Sequence, residues 1–266
     1  MIDKQGYLSK DIVQYENQAQ EKFSELFDYY RSVNEFGQDL IFQLKIQRAH
    51  LHHWSLAALM IRALSTFQSI YILLKKGIIS EAKVLHRTLI EIKYIIVAIE
   101  KNNDLAKDYL GQEEVELKRI FRNSQKWPNE IPEGIKMEEI AAKIKELNQQ
   151  IKNHKIKKFT TKAWATKANM LGNYETYYSL LCLASHANSA DVKNHFVFDD
   201  NGIISTFKWG PDFNNTPDTI LSTIQTALII IESIGNSFSI DILSNLKEKV
   251  EEFKNVKRQH GHNKKT

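Results

Sequence analysis

The chain is poor in cysteine, proline and glycine, with one, four and ten of them in 266 residues. A single cysteine, Cys182, excludes an internal disulfide framework and a cysteine-based zinc cluster. So few turn-formers argue against sandwiches and propellers, whose many reversals use Gly and Pro. Uninterrupted apolar runs of membrane length are missing too. The best such stretch, 56–74, holds Arg62, Ser65, Gln68 and Ser69, and reads as a buried helix. The first seven residues lack the apolar core of a secretory signal. The expectation is a cytoplasmic protein with no membrane partner.

Net charge is missing outside one place. The formal net charge is +4, and residues 247–266 hold seven Lys/Arg against three Glu, so the tail carries the whole excess. A neutral body argues against nucleic-acid binding over the whole surface, while leaving local patches open.

What is present is helical periodicity. Ser9 can cap a helix to about Val33, with Gly37 as a break. A long stretch from about Leu40 to Lys75 ends at Gly77, a C-terminal cap. The next helix covers about 80–101. Asn102-Asn103-Asp104 then introduces another, to about Ser124. Trp127-Pro128 through Gly134 is a loop, and a polar helix over about 134–154 belongs at the periphery. Asn173 can cap a helix over 174–194. Asp200-Asn201-Gly202 between alternating apolar residues predicts a β-hairpin at about 195–209. Thr216-Pro217 opens a last apolar-periodic region to about Phe253, with Gly235 as a possible interruption. The expected fold is a single all-α domain over 1–256, an up-and-down bundle with one small inserted hairpin, followed by a mobile basic tail over 257–266.

Polar residues on otherwise apolar helices are the candidate chemistry. Arg87 and Glu91 are four apart and share a helix face. They are either an ion pair that fixes packing or part of a site. Arg62 lies in a strip with Ser55, Ser65, Thr66 and Ser69 and needs an anion, which would be Glu91 or a ligand. Tyr178, Cys182 and His186 form an i, i+4 series, with Ser185 alongside. In that series His186 is either a packed residue or an acid–base group, and Cys182 reads as a small buried hydrophobe.

His50, His52 and His53 are clustered, but steps of one and two residues would point them different ways on a helix, so no metal or other cofactor is expected. The tail pair His260 and His262 gets no native role. Residues 147–174 contain no acid and carry Lys155, Lys157 and Lys158, with Phe159 and Trp164 among them. Lysines with interleaved rings suit single-stranded RNA, while a solvated loop anchored by its aromatics is the plainer alternative.

The stretch 62–91, R-A-L-S-T-F-Q-S-I-Y-I-L-L-K-K-G-I-I-S-E-A-K-V-L-H-R-T-L-I-E, and the stretch from Tyr174, Y-E-T-Y-Y-S-L-L-C-L-A-S-H, resemble a prokaryotic all-helical family of unknown function. The resemblance covers about 55–195. It implies one polar cluster of Arg62, Arg87, Glu91, Tyr178, Ser185 and His186, and it implies no activity. A second, slighter resemblance is to the HEPN ribonucleases, through Arg48-Ala-His-Leu-His-His53.

Two functions fit these residues. One is an effector of the toxin or phage-defence kind, a metal-independent ribonuclease. In it His186 would be the acid or base, Arg87 and Arg62 would stabilise phosphate, Tyr178 would orient the substrate, and Lys155, Lys157, Lys158 and Trp164 would bind RNA. The other is a non-catalytic sensor or adaptor that binds a small phosphate-bearing ligand, a protein partner or a second copy of itself.

Overall fold

The computed structural model describes residues 4–47, 49–131, 136–185 and 192–261. Their architecture is all-α with one small two-stranded antiparallel hairpin. The helices are α1 (Ile12–Lys22), α2 (Ser24–Gln43), α3 (Leu51–Lys75), α4 (Ile79–Lys101), α5 (Leu105–Leu110), α6 (Gln112–Lys126), α7 (Met137–His154), α8 (Thr161–Lys167), α9 (Leu171–Asn173) and α10 (Ser179–Ser185). A π-helical turn, Tyr174–Tyr178, joins α9 to α10. The strands β1 (Phe196–Phe198) and β2 (Ile204–Phe207) follow, then α11 (Thr216–Ser237) and α12 (Leu243–Gly261).

Helices α2, α3, α4 and α11 form the central bundle. Gly77, at φ +68°, reverses the chain between α3 and α4, and the Gly77 and Ile78 amides close the end of α3 on the Leu74 and Leu73 carbonyls. Tyr30 of α2 stacks on Phe67 of α3 at 3.8 Å between ring centres and donates its hydroxyl to the Phe67 carbonyl at 2.7 Å. Each fully buried residue of this kind contributes about 1.5–3 kcal/mol. Pro217 sits in the first turn of α11, where its missing N–H costs nothing.

The sequence boundaries shift in physical ways. Gly37 lies inside α2 rather than at a break. A Cβ there would meet Leu64 Cδ2 at 2.8 Å, so this glycine lets α2 approach α3 closely. The expected helix from Leu40 is interrupted, because α2 ends at Gln43 and α3 begins at Leu51. Helix α12 continues through Gly261, past the point where a mobile tail was expected. Helices α6 and α7 pack chiefly on each other, and α7 buries Ile140 and Leu147. The hairpin pairs Phe196 with Phe207 and Val197 with Thr206, with a bulge between Val197 and Phe198.

Two helices, Leu51–Lys75 and Thr216–Ser237, are long and apolar enough to cross a membrane by length and composition alone. Half and nearly three quarters of their apolar windows are buried inside the bundle, which is how core helices pass the same test.

Candidate functional site

Helix α4 is largely enclosed, and its polar residues therefore bear on what the interior can do. Ile79, Ala82, Leu89, Ile90, Ile92, Ile96, Val97 and Ile99 bury it among α3, α8, α10 and α11. Yet His86, Arg87, Glu91, Lys93 and Tyr94 occur on the same helix. The π turn lies against them. Such turns are uncommon and recur at functional sites. Here it sends two successive tyrosines to two separate polar groups.

The first group holds the pair expected from the sequence. Arg87 and Glu91 form an ion pair at 3.0 Å, their side chains 25% and 30% exposed. The buried Tyr178 ties them together: it donates to Glu91 Oε1 at 2.6 Å and accepts from an Arg87 terminal nitrogen at 2.8 Å. Arg87 Nε donates to Cys182 Sγ at 3.3 Å, so Cys182 is a polar contact as well as packing. Burial, then the bond to Glu91, pushes the Tyr178 hydroxyl well above the usual tyrosine range, so it stays a donor at all ordinary pH.

The second group was not foreseen. Lys93 is only 4% exposed. Its Nζ donates to Asn173 Oδ1 at 2.9 Å, and the Tyr94 hydroxyl donates to the same oxygen at 2.8 Å. Among the described residues it has no carboxylate partner. Burial alone lowers its pKa to about 8. Beside it His86 is fully enclosed, with Nε2 3.2 Å from Thr226 Oγ1 and Nδ1 3.4 Å from the Tyr177 hydroxyl. Desolvation, then the Lys93 charge, holds the His86 pKa at about 3, so its ring is neutral at physiological pH. Tyr177 in turn donates to Ser222 Oγ at 2.7 Å. A cavity of about 380 Å³ opens here, lined by Lys93, Asn173, Tyr177, Gln225, Thr226 and their neighbours.

The remaining expectations divide. Arg62 is exposed on α3 and makes no ion pair among the described residues, Glu91 pairing with Arg87 instead. The strip around it is satisfied locally instead: Ser55, Ser65, Thr66 and Ser69 each donate to the carbonyl four residues back. Trp164 cannot stack on a base, because its ring is 5% exposed and packed edge-on against Phe159 and Tyr109. Lys155, Lys157 and Lys158 are exposed, and Lys158 pairs with Glu116 at 3.3 Å. Asn173 does not cap a helix; its side chain serves Lys93 and Tyr94. His186 and Arg48 lie outside the described residues, as does the Ser185 side chain.

The seam defines a class: a helical bundle whose buried lysine, with no carboxylate partner among the described residues, lines a partly open cavity. By sequence the chain belongs to a family of unknown function, DUF5677, whose profile matches residues 53–203 and so spans α3 through the hairpin turn. No curated protein and no solved structure matches the chain. The HEPN likeness is not supported by the family match.

Proposed function

We propose that the protein is a sensor or adaptor that binds a small anion in the Lys93 cavity. The observation that carries this reading is a lysine 4% exposed, without a carboxylate among the described residues, on the wall of a cavity of about 380 Å³. Burying a cation without a counter-charge is costly, and an anion is the partner that removes the cost. The volume lies in the range of small-molecule pockets, roughly 300–1,000 Å³. Lys93 supplies the charge, and the Asn173 and Gln225 amides supply neutral donors at the wall and rim.

The test is calorimetric titration of the protein with inorganic phosphate, a nucleoside monophosphate and a dicarboxylate. At least one should bind, and Lys93→Met should weaken it about 10–100-fold, the worth of a charged hydrogen bond. Failure of all three to bind the wild type, or equal binding by Lys93→Met, rejects the reading.

A second reading, metal-independent RNA cleavage in a toxin- or phage-defence effector, is favoured by one observation. The Arg87–Tyr178–Glu91 group is part-exposed, and α10 carries the chain from it to Ser185, the residue before His186. Its test is RNA cleavage by wild type, lost about 10²–10⁴-fold in His186→Ala.

A further inference from the structure

At the other end of α3, three imidazoles come together. His50 precedes the helix with an extended backbone, φ −106° and ψ 96°, while His52 and His53 occupy the first turn. That change of backbone removes the divergence that spacing on a continuous helix would impose. The ring centres lie 5.3 Å apart for His50 and His52, 5.1 Å for His50 and His53, and 4.4 Å for His52 and His53. One nitrogen from each ring lies within 4.8 Å of the others. Three nitrogens on one tetrahedral zinc ion stand about 3.4 Å apart, so small side-chain rotations close the set.

A second observation concerns His53 alone. It is 8% exposed and stacked on Phe238, and its Nδ1 is buried with no hydrogen-bond partner among the described residues. A buried polar nitrogen left unpaired is costly and calls for a partner. His50 and His52 line a groove of about 610 Å³ with Asp104, Asp108, Lys107, Lys155 and Lys157. The two carboxylates offset two of the three lysines, and the groove leaves room for a further ligand on an ion.

We infer that His50, His52 and His53 bind one divalent transition-metal ion of the zinc type, with a remaining coordination position facing the groove. Three imidazoles select such an ion over magnesium or calcium, which prefer oxygen. Three protein ligands rather than four leave a position for water or an anionic group.

The experiment uses the full chain stripped with a chelator, titrated with Zn²⁺ by calorimetry and with Co²⁺ by visible absorption. One ion per chain and the absorption of tetrahedral Co²⁺ are expected. His50→Ala and His52→Ala, which truncate exposed and half-exposed rings and spare the buried His53, should each weaken binding at least about 100-fold. A His260→Ala/His262→Ala variant controls for the tail and should bind as wild type does. Binding that survives in the His50→Ala/His52→Ala double variant, or that disappears in the tail variant, overturns the inference, as does the absence of stoichiometric binding.

Discussion

The Tyr178 hydroxyl donates to Glu91 at 2.6 Å from a π-helical turn, and the residue before it, Tyr177, reaches Ser222 and His86 on the opposite side of α4. One turn thus contacts both polar groups on α4, Tyr177 at the Lys93 cavity and Tyr178 at the Arg87–Glu91 pair.

The Arg87–Glu91 pair is part-exposed, so its loss is moderate. Glu91→Ala removes the acceptor of a buried tyrosine while leaving Arg87 access to water. The expected cost is about 1–3 kcal/mol, read by urea denaturation. A loss above about 4 kcal/mol would mean a sealed pair.

His86 makes stability acid-sensitive. Its folded pKa, about 3, lies below the ordinary value of 6.5. The unfolded chain therefore takes up the proton first as pH falls, and stability drops from about pH 6.5 towards pH 3. The groups facing it are Lys93, Tyr177, Ser222 and Thr226. His86→Gln should flatten the decline between pH 7 and 5, a range above most carboxylate titrations. An unchanged slope in that variant contradicts the assignment.

At the alkaline end Lys93 acts in the same direction. Its folded pKa, about 8, lies below the unfolded 10.5, so the unfolded chain holds the extra proton between these values. Stability should rise with pH through this window in the ligand-free protein. Measurements should stop near pH 9.5, because buried tyrosines with raised pKa values reverse the trend above it. Lys93→Met should remove the rise and match or exceed wild-type stability at pH 7, where Lys93 is charged with no counter-charge among the described residues.

The basic segment separates charge from stacking. Trp164→Ala should cost about 3–5 kcal/mol through lost packing. Where RNA binds this segment, Lys155→Gln/Lys157→Gln/Lys158→Gln should weaken it and reduce the salt dependence by up to about three phosphate contacts. Salt-dependent binding unaffected by the triple variant places RNA elsewhere.

Periodicity and punctuation made the bundle legible. Gly77, Thr216-Pro217 and Asp200-Asn201-Gly202 act locally, and they end up where local chemistry puts them. Arg87, Glu91 and Tyr178 were legible as a group because two lie four apart on one helix and the third comes from a stretch resembling the family. The strip around Arg62 was not legible, because serines on a helix satisfy themselves within one turn, which sequence cannot distinguish from a polar seam. Lys93 and His86 carry no local signal: in I-E-I-K-Y-I-I and V-L-H-R-T-L each stands among other polar residues, and their partners are distant, Asn173 80 positions from Lys93 and Thr226 140 from His86. The π turn that faces Tyr177 and Tyr178 apart has no sequence signature of its own.

The central claim, an anion site at Lys93, is tested most directly by the Lys93 ammonium itself. NMR titration of its side chain should give a pKa near 8 in the ligand-free protein, rising when the anion found by calorimetry is added to saturation. A pKa near 10.5 that the anion leaves unmoved would show a solvated, unneeded charge and contradict the account.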